Sequence, residues 1–558
     1  MTRLLLLAGC LAAVWLTVLA RAATLQVDRE ELRAAAVRQR MRATRLDPRP
    51  GSIVDRDGRL LATSRRVHSI YAVPNRIDDA DDFAAIAGPL LSLDPESLAK
   101  RIEERSQRQF LWIARHIDDE ATHAQLRASL PAGSWGHAAE WDRLYPQGAV
   151  AAHLLGFRGV DHEARAGIER GLDEVMTGVP GQRLSLRDVH GTPLARLDHV
   201  AEPATDGASV ALTIDAALSA AVGHELELAM QRQAPLWAAA VVVDVRTAGI
   251  LAIETRPNFD PNHPAGAVEA GVGHASRTAI EPGSTLKPFV VAAALEAGLA
   301  TIDEQIDCGQ GERLFGQRLV TDSHDVGAVP LGDVLVESSN IGAATIAERL
   351  GPDALHRTLS ALRFGRDPAS GVIDAGVGRL QSLDDWSGYS LISHAIGYEV
   401  TASPLQLARA YCTLATDGHD RPLRVLRDAA ETPATAVLDE SVCRWLRTQP
   451  LRQVVQRGTA AAAFDPEVDV WGKTGTARKF NPAEGAYDDD RVACVFAGGT
   501  PCETPRFVVA VVVDSPRRGG QSGGRVAAPI AVRALKAAVA LERRETSKPS
   551  PEQPPMQP

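Results

Sequence analysis

The sequence predicts an α+β protein, and three observations carry that prediction. Residues 238–256, AAAVVVDVRTAGILAIETR, are two apolar runs around a turn at Thr247–Gly249, the pattern of a β-hairpin. VWGKTGTAR (470–478), RVACVFAGG (491–499) and RFVVAVVVDS (506–515) read as three further strands. Helical stretches surround them: one from Ser284 to Ala300, a long mostly helical middle, and a closing helix over roughly 527–545. The result is antiparallel strands with helices covering them.

At 558 residues the chain is expected to hold more than one domain. A hydrophobic content of 45% with 23% charged residues is that of an ordinary globular protein. The formal charge of −10 gives no support to nucleic-acid binding, which wants a basic face. Six cysteines in this length make no disulfide framework. Cys494 and Cys502 stand close enough in sequence to bridge a turn, but buried free thiols are the plainer reading.

In chain order, Leu4 to Ala20 is 17 residues without a charge, near the lower limit for a membrane-spanning helix. Arg3 and the free amine favour a cytoplasmic start, partly offset by Arg21. We read residues 1–22 as a cytoplasmic tip and an uncleaved anchor. ARA at 20–22 also fits a signal-peptidase site, and LAGC at 7–10 a lipoprotein box with too few apolar residues before Cys10. Each reading exports the rest of the chain.

Residues 28–44 read as a helix continuing from the anchor. Between Arg29 and Arg66 eleven arginines stand against five acids, a basic stretch for anionic headgroups or a partner protein, or simply a solvated face. RPGSIVDRDGRLLATS (49–64) is a turn-rich strand pattern. Residues 23–207 together read as one irregular, elongated module without a catalytic cluster. From residue 208 the texture changes, with ASVALTIDAAL reading as a strand running into a helix, and a second domain extends to 545. The Pro-rich tail, 546–558, reads as disordered. No internal repeat is evident.

The chemistry starts from a bias. Of 60 Lys+Arg only six are lysine: Lys100, Lys287, Lys473, Lys479, Lys536 and Lys548. Arginine does not lose its proton in a protein, whereas lysine is tunable to a base. Lys287 lies in EPGSTLKPFV (281–290), one helical turn after Ser284, so the two side chains share a face. Ser284 follows Pro-Gly and opens an apolar run, which places it at a helix N-terminus, where backbone dipoles favour developing negative charge. A neutral lysine there takes the hydroxyl proton and creates an alkoxide nucleophile. Desolvation and a second cation nearby are the means of neutralising it.

The pair alone is weak, since Ser97 and Lys100 repeat it in DPESLAKRIEER, an amphipathic helix whose lysine reads as a solvated surface group. Company separates the two. ESSNIG supplies Ser338-Ser-Asn340, and WGKTGTA supplies Lys473-Thr-Gly-Thr476. Three motifs in that order are the set of serine β-lactamases and penicillin-binding proteins. Ser338 is placed to relay a proton towards Lys287 or a leaving amine, Asn340 to bond a substrate amide, and Lys473 to supply the second cation. On a strand Lys473 and Gly475 share one face, and Thr474 and Thr476 the other. Gly475 permits close approach to the backbone. The N–H groups of Ser284 and Thr476 form the natural oxyanion pair.

On these motifs the chain resembles the class B penicillin-binding proteins, most nearly the cell-division type. Further matching text is RPGSIVDRDGRLLA, YPQGAVAAHLLGF (145–157), GIERGLDEVMTGVPG (167–181), LTID (212–215), RPNFDPN (256–262), SPLQLA and GGRVAAP (523–529). The resemblance covers about residues 1–540. It implies an anchor, a non-catalytic pedestal and a transpeptidase domain of the penicillin-binding-protein/serine β-lactamase-like fold. It implies a peptidoglycan D,D-transpeptidase in septal wall synthesis. The serine attacks the penultimate D-Ala carbonyl of a stem peptide, D-Ala leaves, and a neighbouring strand's amine resolves the acyl-enzyme. Thr474 and Thr476, with Gly475, are then the carboxylate-binding strand, and β-lactams are covalent inhibitors. The implied setting is the cell membrane, single-pass, with the catalytic domain on the outer face. A glycosyltransferase and other division proteins are the implied partners. Two departures stand out. GRDPASGVIDAGVGRL (365–380) replaces the family's Thr-Gly-Ile-x-Leu-Pro-Gly-Glu-like segment at one cleft wall, and a proline is inserted in RPGS.

Other readings compete. An elongation-type transpeptidase shares every motif. A serine β-lactamase of the class with this triplet adds a Glu-x-x-x-Asn element holding a hydrolytic water, but no Asn lies between Ile341 and Gly472. A bifunctional polymerase needs a glycosyltransferase motif, which residues 23–205 lack. An inactive division scaffold does not need intact motifs, and a sensor needs a cytoplasmic domain where only three residues precede the anchor. No cofactor or metal is implied: there is no His-Glu-x-x-His, and the 15 histidines are scattered. His324 in TDSHD, the nearest to the motifs, reads as satisfying local structure. GGQSGG (519–524) reads as a turn rather than a phosphate loop, and the Asp run of KFNPAEGAYDDDR (479–491) as a solvated hairpin loop or a contact for a cationic acceptor.

Overall fold

A computed structural model describes residues 2–27, 41–186, 199–368, 370–481 and 483–546. In helix Thr2–Val27 the stretch Leu4–Thr24 is exposed, and it is long and apolar enough to cross a membrane. Of the helix expected over 28–44, residues 28–40 lie outside the described residues. Residues 41–44 belong instead to a strand, Met41–Leu46, paired antiparallel with Gly181–Leu186. A partner distant in sequence overrides the local helical pattern there. The Pro-rich tail also lies outside the described residues.

The chain divides into two compact units. The first comprises residues 1–51, 66–141 and 174–208. In it, Tyr71 and Ala72 pair with Trp112 and Leu111. Helices Ala80–Leu90, Pro95–Glu103 and Glu120–Ser129 supply further buried side chains to one core, with Phe83, Leu98, Ile102 and Leu126 at its centre. Each helix starts on an aspartate, Asp79, Asp94 or Asp119, whose carboxylate accepts first-turn N–H groups. Ser97 and Lys100 are exposed on the second of these helices, as a solvated pair should be.

The second unit comprises 52–65, 142–173 and 209–558. Its centre is a five-stranded antiparallel sheet. The hairpin of β1 (Trp237–Asp244) and β2 (Gly249–Arg256) is joined by β3 (Trp471–Asn481), β4 (Ala486–Thr500) and β5 (Phe507–Asp514), in the order β2-β1-β5-β4-β3. β1 and β5 are buried at every residue, which is why both read as unbroken apolar runs: helices cover both faces. Helices α1 (Ala216–Gln233) and α5 (Gly523–Thr546) pack with Ala240, Val242, Phe496, Val509 and Val511 on one face. Helix α4 (Pro404–Ala415), buried along all twelve residues, packs against β1 and β5 as well. Its start, SPLQ, is a capping box in which Ser403 Oγ accepts the Gln406 N–H and Gln406 Oε1 accepts the Ser403 N–H.

The strands and the hairpin turn lie where they were expected, except that β3 runs on to Asn481 and β4 starts at Ala486, so the Asp run read as a loop stands on β4, paired across from Lys479. The helical middle also holds two small hairpins, Gln305–Asp307 with Ala328–Pro330 and Glu312–Phe315 with Arg318–Thr321. All five buried cysteines are free thiols, Cys494 and Cys502 among them. Replacing Phe496 with Ala is expected to cost about 3–5 kcal/mol in a urea titration, because the ring is wholly buried under the two covering helices.

Candidate active site

The segment that opens on Ser284, the nucleophile expected from sequence, does not form the continuous helix expected from Ser284 to Ala300. Gly283–Leu286 is a 3₁₀ turn, and the α-helix α2 runs from Lys287 to Glu296. Pro288 explains the change. It has no N–H to give the Ser284 carbonyl, which instead accepts the Lys287 N–H three residues on. Ser284 therefore stands on a tight turn ahead of the helix, with Lys287 at the first helical position. The turn is fixed from below by Tyr411, whose hydroxyl donates to the Thr285 carbonyl at 2.9 Å.

Gly475 brings β3 against this turn. A Cβ there would lie 2.4 Å from the Pro282 carbonyl oxygen and 3.0 Å from Thr285 Cγ2, so only glycine fits. Behind the strand, a Cβ on Gly523 would meet the Gly475 carbonyl at 2.3 Å, so the start of α5 also presses on β3. That start lies four residues ahead of the closing helix read from sequence. β3 is the edge strand of the sheet, paired on one side to β4.

Five of the expected residues are joined by hydrogen bonds. Lys287 Nζ donates to the Ser338 carbonyl at 2.5 Å and to Asn340 Oδ1 at 2.7 Å. Lys473 Nζ donates to Ser338 Oγ at 2.8 Å and to the Thr474 carbonyl at 3.2 Å. Ser338 holds a left-handed backbone, φ 60°, strain of the kind that gathers at functional sites. Thr474 Oγ1 pairs with Thr459 Oγ1 at 2.6 Å, and Thr476 Oγ1 accepts the Gly523 N–H at 3.0 Å. Lys287 Nζ gives its hydrogen bonds to the Ser338 carbonyl and Asn340 Oδ1 rather than to Ser284 Oγ.

Both lysines are fully buried, at 0% exposure. Burial pushes the Lys287 ammonium down to about 7, against the pull of the Asp322 carboxylate. Lys473 is pushed well below the usual lysine range, by burial first and then by repulsion from Lys287. The second cation invoked from sequence is present, but what lowers Lys287 is burial; the repulsion between the two amines bears on Lys473 instead. An amine of lowered proton affinity, a hydroxyl one turn away and a serine between two lysines are the parts that nucleophilic acyl transfer uses.

Sequence reasoning missed Asp322. Its Oδ2 accepts from the Ser339 hydroxyl at 2.5 Å and its Oδ1 from the Ile341 N–H at 3.3 Å and from the Asn340 N–H. The signal was present in TDSHD, where attention went to His324. That histidine pairs with Ser323 and Glu337 and makes no bond to the motifs. Beside the nucleophile's turn lies a cavity of about 540 Å³ lined by Glu281, Arg379, Glu399 and Tyr487. Arg379, from the divergent 365–380 segment, is thus a cleft-wall residue. In the neighbouring hairpin Asp489 is paired with Arg478 at 2.9 Å.

Comparison with known proteins finds two families in succession along the chain. The model of the penicillin binding protein transpeptidase domain matches residues 238–536, and that of the penicillin-binding protein dimerisation domain matches 45–212. The chain is 31% identical to the peptidoglycan D,D-transpeptidase FtsI of Escherichia coli K12, over 95% of this chain and 90% of that one. It is 31% identical to the probable peptidoglycan D,D-transpeptidase PenA of Neisseria gonorrhoeae, over 86% of this chain and 82% of that one. Among solved structures, penicillin binding protein 3 of Mycobacterium tuberculosis, complexed with aztreonam, superposes with a TM-score of 0.67 at 25% identity, covering 91% of this chain and 98% of that one.

The contact at Gly475 makes a structural test. In a Gly475→Ala crystal, the Pro282–Ser284 turn is expected to retreat from β3 by about 1 Å, because the new methyl group has no room.

Proposed function

The chain belongs to the class B penicillin-binding proteins and is a serine-type peptidoglycan D,D-transpeptidase, and from that premise we propose that it cross-links stem peptides of the septal wall through an acyl-enzyme on Ser284. One observation supports the residue roles above all others: Lys287, Ser338, Asn340 and Lys473 meet in one hydrogen-bonded group beside the turn that carries Ser284. The septal role rests on the division-type text of residues 145–157 and 167–181.

In this reading neutral Lys287 takes the Ser284 hydroxyl proton as Oγ attacks the penultimate D-Ala carbonyl. The N–H groups of Ser284 and Thr476 hold the oxyanion. As the tetrahedral adduct collapses, the C–N bond breaks and D-Ala leaves with a proton passed from the lysine pair through Ser338. The acceptor amine of a neighbouring strand then attacks the ester and gives its proton to the pair, and as the C–Oγ bond breaks Ser284 takes that proton, which restores the hydroxyl and the neutral base. Asn340 orients the donor amide, while Thr474, Gly475 and Thr476 on the edge strand hold its carboxylate. β-Lactams enter as mimics of D-Ala-D-Ala and stop at the acyl-enzyme.

Residues 1–22 then anchor the protein once in the cell membrane, with the pedestal (23–207) and catalytic domain (208–545) on the outer face and 546–558 as tail. Partners of this reading are a glycosyltransferase and other division proteins.

Two tests follow from the mechanism. Intact mass after penicillin treatment is expected to show one long-lived adduct on Ser284, absent from Ser284→Ala; rapid loss of the adduct would favour a hydrolase. The acylation rate is expected to depend on Lys287 being neutral. With Lys287 near 7, the rate should rise about tenfold per pH unit below that point and level off above it. A rate still climbing towards the ordinary lysine range would count against Lys287 as the base.

A further inference from the structure

The second small hairpin of the helical middle ends directly beneath the Ser-x-Asn turn. Its last strand, Arg318–Thr321, passes straight into Asp322. The carboxylate takes three donors from consecutive residues of one turn: the Ser339 hydroxyl and the N–H groups of Asn340 and Ile341. The preceding residue adds a fourth link, since Asn340 Nδ2 donates to the Thr321 carbonyl at 2.8 Å. These bonds reach both sides of Asn340, leaving its Oδ1 to accept from Lys287 Nζ. The turn they hold also presents the Ser338 carbonyl to Lys287 and the Ser338 hydroxyl to Lys473.

We propose that Asp322 is a positioning residue of the acyl transfer: it fastens the Ser338–Asn340 turn to the hairpin and, through its negative charge, keeps a proton on the lysine pair. The inference rests on the transpeptidase reading above. Its logic is electrostatic. Lys287 and Lys473 are buried on either side of Ser338; Asp322 and the Cys308 thiol act on Lys287 by charge, the neutral Ser338 and Asn340 accept from it, and its own charge repels Lys473 on β3. The Cys308 thiol is itself pushed up by burial and stays uncharged. Asp322 is therefore the carboxylate among them. Burial lowers both amines, and without an anion nearby the resting pair would more readily lose the cation that Lys473 is there to supply. Asp322 opposes that loss, whereas burial drives it.

The sign of the effect is fixed. Removing an anion near an ammonium makes its proton easier to lose, so the neutral base persists to lower pH. The test is the second-order rate of Ser284 acylation by a fluorescent penicillin as a function of pH, with thermal unfolding of each variant. Asp322→Asn is expected to slow acylation by about tenfold or more, as the turn loosens. It is also expected to move the rising limb to lower pH by about one unit. Ser339→Ala removes one bond without touching the charge, so it should slow the reaction and leave the limb in place. Asp322→Asn with an unmoved limb, whether fast or slow, overturns the proposal. So does an equal shift from Asp325→Asn, which removes an exposed carboxylate from the same loop. Should Asp322→Asn not fold, Asp322→Glu decides: a limb in its wild-type place supports the assignment and a displaced one overturns it. Failure of the wild-type protein to acquire the adduct sinks the transpeptidase reading itself, and is told apart because it precedes any variant.

Discussion

Everything in the catalytic unit turns on keeping two amines dry. Lys287 and Lys473 have no exposed surface, and each would lose on the order of several kcal/mol if held there as a bare ammonium. The protein does not meet that cost with an adjoining ion pair on each lysine. It supplies neutral acceptors instead, the Ser338 and Thr474 carbonyls, the Ser338 hydroxyl and the Asn340 amide oxygen. The bonds satisfy the amines without fixing their charge, and the proton stays transferable. Such a site is a stability deficit that the rest of the domain must offset.

The surrounding fold does so by over-determining the geometry. The sheet is buried on both faces, so β3 has little freedom to drift at its edge. Close approaches at Gly475 and Gly523 pin that edge between the nucleophile's turn and the start of α5. Tyr411, itself buried in α4, holds the same turn by its backbone. Sheet, central helix and closing helix therefore converge on a few residues around Ser284, which is what positioning a nucleophile to within an ångström requires.

Much of this was legible in the sequence, for physical reasons. Strands buried on both faces leave apolar runs without alternation, so the hairpin at 238–256 and the strands near 470, 491 and 506 were readable. The motifs were readable because lysine is rare in this chain, so Ser-x-x-Lys and Lys-Thr-Gly stood out beside a Ser-x-Asn. What local sequence hid were choices made by distant partners. Residues 41–44 look helical but pair with a strand some 140 residues on. The turn under Ser284 depends on one missing N–H, at Pro288. Gly475 looked like room for substrate, and it is also room for the Pro282 carbonyl. Asp322 carries no motif of its own; its part became visible only when the Ser-x-Asn turn folded onto it. The cause of Lys287's low proton affinity was likewise misjudged in emphasis, because burial is a property of the packed domain rather than of any neighbour named in the text.

The central claim is that Lys287 sheds its proton near neutrality because it is buried. The six lysines make this directly observable. Lysine labelled with carbon-13 at Cε gives one NMR resonance per residue, and a Lys287→Arg variant identifies the one of interest. The account predicts that this resonance titrates near 7 in the unacylated protein. Titration near the ordinary lysine value of about 10.4 would contradict it, and with it the assignment of Lys287 as the base.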